Sequence, residues 1–246
     1  MVVAYFDCFS GIAGDMILGA LFDLGLELNF FKKEIGKLNL TGYKIELKKV
    51  EKNHITASDF YVEVTGKQPH RTFKEIEDLI ETSKLDRSIK KNSIEIFQKL
   101  AKAEGKIHNV SFENVHFHEI GAVDSIIDIV GSVIGIKKLG FEEIYSSPLP
   151  LGKGFVKCSH GIIPIPAPAT VELLKNVPVY QTKINHEMVT PTGAAVITTI
   201  ASKFRDMPPM KIKNIGYGAG KIKSEHPGLL RIFLGDLEKK KKLKSS

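Results

Sequence analysis

Residues 115–139 read VHFHEIGAVDSIIDIVGSVIGIKKL, a polar cluster followed by a long apolar segment. From Ala122 to Leu139 the segment is apolar on nearly every side of a helix, which predicts a helix buried within a larger body. Two histidines and three carboxylates lie between His116 and Asp128. Because imidazole and carboxylate groups bind divalent transition metals, the start of this helix is predicted to carry a metal or acid–base site.

The spacing within the polar cluster predicts two groups of side chains, each on one side of its own segment. His116 and His118 lie on the same side if the chain is extended there, because side chains of a strand alternate. Asp124 and Asp128 are four residues apart, so they share one face of the predicted helix. We therefore expect a ligand or catalytic role for at least one of His116, His118 and Glu119, and a functional role stays open for Asp128. The alternative is that these groups are hydrogen-bonded structural residues and that Asp124 only favours the helix N-terminus.

Strands and helices alternate through the rest of the chain, which predicts a mixed α/β (α+β) fold with a central sheet. Thr72 and Glu75 form a capping box that starts one helix, and Asp86 caps a second helix that runs to about Glu104. The other predicted elements are strands over Val2–Phe6, Tyr43–Val50, Ile55–Val64, Ile144–Ser146, Gly154–Cys158, Ile162–Ile165, Val179–Ile184, Ile212–Tyr217 and Leu229–Leu234, and helices over Asp15–Leu24, Phe30–Leu38, 166–175 and 191–203. Residues 105–115 and the proline- and glycine-rich residues 148–154 are predicted to be loops.

The 246-residue chain is long enough for one large domain or two small ones. We divide it into an N-terminal α/β portion, 1–104, and a His- and Asp-rich α/β portion, 105–238, packed together as one unit. The lysines of residues 239–246 are expected to form a disordered, solvated tail. They account for most of the net charge of +7, because residues 1–238 carry 30 basic and 28 acidic side chains. With no nucleic-acid-binding motif in the chain, this distribution argues against a nucleic-acid partner.

The composition also argues against a membrane or secreted protein. No apolar run is long enough to cross a membrane, and the N-terminus has no basic leader. Cys8 and Cys158 are the two cysteines, too few for a disulfide framework, so a reduced cytoplasmic compartment is expected.

Residues 7–15, DCFSGIAGD, are predicted to link a strand to a helix through a glycine loop. Free N–H groups and the helix dipole make such a loop a candidate anion site, with Ser10, Gly11 and Gly14 as the contacts. The spacing matches neither a Walker A loop nor a dinucleotide fingerprint. The carboxylates at both ends of the stretch could instead hold a cation or a substrate amine or hydroxyl. The remaining alternative is a tight turn capped by Asp15.

Two later segments carry further candidate ligands. Cys158 and His160 lie two residues apart in a rigid loop, and thiolate and imidazole bind nickel or zinc. A buried, inert cysteine is the alternative. Thr190, Thr192 and Gly193 lie at a predicted helix N-terminus that could hold a phosphate, although plain capping explains the threonine equally well.

Several segments together resemble one protein family, and they follow its order. Residues 6–16, FDCFSGIAGDM, resemble its opening motif, and residues 116–131, HFHEIGAVDSIIDIVG, resemble its central motif. PLPLG at 148–152, HG at 160–161, PIPAPAT at 164–170 and VTPTGAA at 189–195 come next. Through these motifs nearly the whole chain resembles the nickel-insertion family of nickel-pincer cofactor synthesis (LarC).

The resemblance implies a nickel chelatase, or cyclometallase, of the lyase class. Such proteins insert Ni²⁺ into a pyridinium mononucleotide with two thiocarboxylates, which yields the cofactor of lactate racemase-type enzymes, and they consume CTP with the help of Mn²⁺ or Mg²⁺. Because a nickel–carbon bond forms with loss of a ring proton, a general base is required, and His118 or Glu119 is expected to supply it. His116 and His160 are then expected as metal ligands, and the substrate phosphate is expected near Gly14 or Thr192.

Full-length proteins of this family carry a further C-terminal region that binds CTP, and this chain stops soon after residues 216–220. The resemblance therefore leaves open a separate C-terminal chain as a partner, together with the recipient racemase and a homo-oligomeric state. Two other functions stay open at this point. One is a non-catalytic nickel-binding chaperone, and the other is a metal-dependent hydrolase of a small phosphorylated compound.

Overall fold

The structure is a computed structural model that describes residues 2–66, 71–117, 121–158, 161–222 and 226–238, and of Cys158 it describes only the backbone. His118, Glu119 and His160, three of the predicted site residues, lie outside the described residues. The helices that the structure describes are α1 (Gly14–Asp23), α2 (Leu28–Gly36), α3 (Phe73–Thr82), α4 (Arg87–His108), α5 (Val123–Lys138), α6 (Pro168–Leu173) and α7 (Pro191–Ile200). The strands are β1 (Val2–Asp7), β2 (Tyr43–Lys52), β3 (Ile55–Val64), β4 (Arg71–Thr72), β5 (His116–Phe117), β6 (Glu143–Ser146), β7 (Leu149–Leu151), β8 (Phe155–Cys158), β9 (Gly161–Pro164), β10 (Val179–Gln181), β11 (Lys203–Phe204), β12 (Met210–Ala219) and β13 (Leu229–Leu237).

Seven strands form one mixed sheet in the order β11-β6-β1-β13-β12-β3-β2. β1 lies inside this sheet, parallel to β6 and antiparallel to β13. β12 pairs antiparallel with β13 and parallel with β3, where Gly218 lies opposite Ser58. The sheet takes strands from both predicted portions, 1–104 and 105–238; the division itself stays a prediction.

Helix α1 lies between the sheet and α5, because it contacts β12 and β3 as well as that helix. The predicted apolar helix over 122–139 is observed as α5, and its middle is buried. Two glycines of α5 allow the close packing of this layer. A Cβ atom at Gly131 would lie 2.7 Å from the ring of Phe31, and one at Gly135 would lie 2.8 Å from the side chain of Leu21. The core therefore positions the N-terminus of α1 directly against the first turns of α5.

The predicted mixed α/β fold with a central sheet is confirmed, and every predicted strand and helix is present, most of them with ends shifted by a few residues. The prediction of a loop over 148–154 was wrong at β7, which pairs in parallel with β10. The hydrogen bonds between these two strands use the Leu149 N–H and the Leu151 carbonyl. Pro150, which has no N–H, therefore removes no hydrogen bond from the pair. The predicted loop over 105–115 was wrong at its start, because α4 continues to His108 and ends at Asn109 in the left-handed conformation.

Candidate functional site

Main-chain hydrogen bonds join the β1–α1 loop to the segment that precedes α7. The Ile12 N–H donates to the Met188 carbonyl at 2.8 Å, and the Thr190 N–H donates to the Ile12 carbonyl at 3.1 Å. Gly11 has a φ of +99°, and a Cβ atom there would lie 1.9 Å from the Met188 carbonyl oxygen. Only glycine permits both this conformation and this approach. The predicted glycine loop is thus held by a distant part of the chain.

The N-terminus of α7 lies against the same loop. Thr190 caps this helix, its Oγ1 accepting a hydrogen bond from the Gly193 N–H at 3.1 Å, and Pro191 is the first helical residue. A Cβ atom at residue 193 would lie 2.3 Å from the Ile12 carbonyl oxygen. The N-termini of α1 and α7 therefore meet, and the structure brings together the predicted anion-binding residues Ser10, Gly11, Gly14, Thr190, Thr192 and Gly193. Their binding role stays a prediction.

Asp128 of α5 lies against the first residue of α1. A Cβ atom at Gly14 would lie 2.6 Å from both Cβ and Oδ2 of Asp128. The carboxyl group of Asp128 thus sits at the helix N-terminus that the sequence offered to an anionic ligand, where the helix dipole favours negative charge. Asp15 follows directly, mostly buried, and its Oδ1 accepts a hydrogen bond from the Met16 N–H at 2.8 Å.

The surroundings of these two carboxyl groups disfavour their ionised forms. Burial, and then the charges of Asp15 and Asp124, raise the pKa of Asp128 well above its ordinary value. Burial also raises the pKa of Asp15 to about 6, although Lys221 opposes the change. Lys221 Nζ lies 3.9 Å from Asp15 Oδ2 and is shared with Asp59. The positive charge of Lys221 therefore compensates the negative charge of Asp15 and Asp128 only in part. Asp15 is able to gain or lose a proton near neutral pH.

A cavity of about 170 Å³ lies beside Asp15, between the β1–α1 loop, the segment before α7 and the connection from β12 to β13. Its polar lining residues are Ser10, Asp15, His186, Glu187, Thr190 and Lys221. Ser10 is 7% exposed, and its hydroxyl has no hydrogen-bond partner within the described ranges. A buried hydroxyl without a partner costs free energy, so a polar ligand atom in this cavity would stabilise the site.

The two residues at the end of β1 and just after it have structural surroundings. Asp7 Oδ2 accepts hydrogen bonds from Nε and Nη2 of Arg231, at 3.0 and 2.6 Å, across the β1–β13 pair. Cys8 is fully buried, and burial raises the pKa of its thiol to about 12. Since the thiolate is the form that binds metals, Cys8 is unsuited to hold one in this state.

The structure separates the predicted metal ligands that it describes into two groups. Asp124 and Asp128 lie on successive turns at the start of α5, whereas His116 is exposed in β5, paired with Thr72 of β4. Within the part of the chain that the structure describes, no three His, Cys, Asp or Glu side chains gather closely enough to hold a metal ion. The structure does not describe the side chains of His118, Cys158 and His160. The full set therefore stays a prediction: His116, His118, Asp124, Asp128, Cys158 and His160.

Lys221 is a site residue that the sequence did not reveal. It follows the glycine-rich residues 216–220 and belongs to none of the motifs that the sequence displays. Only the pairing of β12 with β3 places this lysine near Asp15 and Asp59.

His186 also lines the cavity, and burial together with the nearby His226 lowers its pKa, so its imidazole is neutral at neutral pH. A neutral imidazole is the form that binds metals.

The sequence matches the family described as nickel insertion protein over residues 4–246. The chain therefore belongs to the nickel insertion protein family, and the resemblance found in its motifs is confirmed.

Its relatives are nickel insertion proteins that are longer than this chain. A protein from Acetivibrio thermocellus, named pyridinium-3,5-bisthiocarboxylic acid mononucleotide nickel insertion protein, is 46% identical over 254 residues, covering 99% of this chain and 62% of that protein. A protein of the same name from Desulfitobacterium hafniense is 46% identical over 237 residues, with 96% and 59% covered. A relative from Dictyoglomus thermophilum, also named for nickel insertion, is 50% identical over 237 residues, with 96% and 61% covered. The chain thus spans about three-fifths of the length of these relatives.

No solved structure matches this chain. Across the described ranges, no helix combines the length and the apolar character that crossing a membrane requires.

Proposed function

We propose that this chain takes part in inserting Ni²⁺ into pyridinium-3,5-bisthiocarboxylic acid mononucleotide, the activity for which its relatives are named. Membership of the nickel insertion protein family supports a nickel-inserting role. The observation that carries the proposal is the carboxyl pair of Asp15 and Asp128 at the start of α1, beside a cavity that also holds the unpartnered hydroxyl of Ser10.

The ligand types present suit the transfer of nickel to a sulfur compound. Oxygen and imidazole donors bind Ni²⁺, whereas thiocarboxylate sulfur is a softer donor that takes the ion over. We propose Asp124 and Asp128 as oxygen ligands to the incoming ion. His116, His118, Cys158 and His160 complete the proposed set.

Formation of the nickel–carbon bond replaces a ring C–H bond, so the released proton needs an acceptor. An efficient general base has a pKa near the working pH. His118 and Glu119 are the proposed bases from the central motif. Asp15, with its pKa raised to about 6 by burial, is a further carboxylate at the cavity that meets this requirement.

The remaining parts of the proposal come from the family resemblance. We propose that CTP is consumed with Mn²⁺ or Mg²⁺, that the reaction belongs to the lyase class, and that a C-terminal region or partner chain completes the activity. The substrate phosphate is proposed to bind where α1 and α7 begin, at Ser10, Gly11, Gly14, Thr190, Thr192 and Gly193. A cytoplasmic location and delivery of the product to a racemase belong to the same proposal.

Calorimetric titration with Ni²⁺ tests the ligand set. We expect the variants His116→Ala/His118→Ala and Asp128→Asn each to bind Ni²⁺ about tenfold more weakly than the wild type. His54→Ala is the matched control, because His54 is 98% exposed and lies in the β2–β3 turn. Unchanged affinity in both site variants would remove the proposed ligands.

An activity assay separates the alternatives. Ni²⁺, CTP and the mononucleotide precursor are added to the chain together with the C-terminal region of a relative, and the absorbance of the nickel product is followed. Tight nickel binding without product identifies a chaperone. Binding of zinc or manganese but not of nickel favours a metal-dependent hydrolase.

A further inference from the structure

We propose that the cavity beside Asp15 binds a positively charged aromatic ring, the pyridinium ring of the mononucleotide. The identity of the ring rests on the proposed function. The site itself is argued from the size, the lining and the charge of the cavity.

The size and walls of the cavity favour a flat organic group. Its volume of about 170 Å³ far exceeds the roughly 30 Å³ that one water molecule occupies in the liquid. Ala13, Met16, Met188 and Ile222 supply apolar walls. Methionine thioethers make favourable contacts with aromatic rings. A metal ion alone would leave most of this space unfilled, and no three metal-binding side chains gather in the ranges that the structure describes.

The charge around the cavity selects a cation. Asp15 lines the cavity, and Asp128 lies behind it against Gly14. Lys221 is shared between Asp15 and Asp59, so two carboxyl groups share one ammonium group. A delocalised organic cation in the cavity would balance this excess without the heavy desolvation cost of a compact ammonium ion.

Ser10 gives a second, independent observation. Its side chain is buried in the wall of the same cavity, and its hydroxyl has no partner among the residues described. A hydroxyl both donates and accepts hydrogen bonds, so it can bind an anionic group of the same ligand, either the phosphate proposed above or a substituent of the ring. Together these features fit an aromatic cation that carries an anionic substituent.

The test compares two forms of one probe by calorimetry, with neither nickel nor CTP present. Oxidised nicotinamide mononucleotide carries a cationic pyridinium ring, and its reduced form carries a neutral ring on the same ribose phosphate. We expect the oxidised form to bind about tenfold more tightly than the reduced form. Asp15→Asn is expected to weaken binding of the oxidised form about tenfold and to leave the reduced form unchanged.

A second variant keeps the test independent of folding. Ile222 lines the cavity but is 45% exposed, so Ile222→Lys places a positive charge at the cavity without disturbing the core. It is also expected to weaken binding of the oxidised form alone. Asp206→Asn, an exposed position outside the lining, is the matched control for loss of one negative charge.

Equal affinity for the two forms, absence of binding, or full affinity in both Asp15→Asn and Ile222→Lys would overturn the assignment. Charge-selective binding in a protein that never inserts nickel would refute the proposed function and leave the cavity assignment in place. Nickel insertion without any preference for the cationic ring would refute the cavity assignment alone.

Discussion

Gly14 and Asp128 are in such close contact that residue 14 has no room for a side chain. A Cβ atom at Gly14 would lie 2.6 Å from Oδ2 of Asp128 and 2.8 Å from its Cγ. The first residue of α1 and the second turn of α5 are therefore fitted to each other, and this contact places Asp128 behind Asp15 at the cavity. The position of the carboxyl pair thus depends on a glycine.

Replacing Gly14 with alanine is expected to destabilise the protein by about 1–3 kcal/mol, because the added methyl group forces Asp128 or α1 to move. The loss should appear as a lower midpoint in urea unfolding. Gly36→Ala is the control: residue 36 ends α2, and a Cβ atom there would meet nothing within 4 Å. Alanine at that site should be neutral or stabilising, since it favours helix more than glycine does. Equal effects of the two substitutions would contradict the contact.

Replacing Asp128 with asparagine is expected to stabilise the metal-free protein by roughly 1–2 kcal/mol at pH 8 and by less at pH 4. The folded-state pKa values of Asp128 and Asp15 are raised, to about 6 for Asp15 from 3.8, so the folded state binds more protons than the unfolded one. The two carboxyl groups therefore stabilise the folded wild type fully at low pH. This stabilisation is lost as the pH rises, for Asp15 between 3.8 and about 6. Thermal unfolding across pH 4–8 measures the difference between the two proteins.

Asp124→Asn serves as the comparison for that experiment. Asp124 lies in the first turn of α5, where the helix dipole favours a carboxylate. Its replacement should slightly destabilise the protein at pH 8, the opposite sign to Asp128→Asn. A stabilising effect of both variants would indicate general relief of negative charge rather than burial of Asp128.

Thr190→Ala is expected to cost about 1 kcal/mol, because it removes the oxygen that caps α7 at the Gly193 N–H. Thr190→Ser keeps that oxygen and should retain most of the stability. Denaturant unfolding of the three proteins gives the comparison. If serine and alanine are equally destabilising, packing of the threonine methyl group is responsible and not the cap.

Cys8 is expected to resist thiol reagents in the folded protein, because it is fully buried and its pKa is raised to about 12. The measurement uses Cys158→Ser, so that Cys8 is the single thiol. Labelling at pH 8 should be about a hundredfold slower in buffer than in denaturant. Fast labelling of the folded protein would show that the β1–α1 loop opens readily.

Local patterns were enough to predict most of the elements. The capping box of Thr72 and Glu75 is present as predicted, and Thr190 with Pro191 begins a helix as expected. Such features depend on neighbours within four residues, which the sequence displays directly. β7 was missed because its partner β10 lies far along the chain, and a proline in the strand argued for a loop.

The candidate site was predictable only in part, for the same physical reason. The sequence indicated Asp15, Asp128 and the glycine loop one at a time, and it gave no distance between α1 and α5. Lys221 belongs to no motif, and its place beside Asp15 follows from the order of strands in the sheet. Which groups share a cavity is decided by long-range packing, and one sequence does not record that packing.

The place of β1 in the sheet has a consequence for synthesis on the ribosome. One of the two neighbours of β1 is β13, which follows it by more than two hundred residues along the chain. Until β13 emerges, one edge of β1 has no partner, and an apolar unpaired edge invites association between nascent chains. This topology therefore ties maturation of the β1–α1 region to the synthesis of β13.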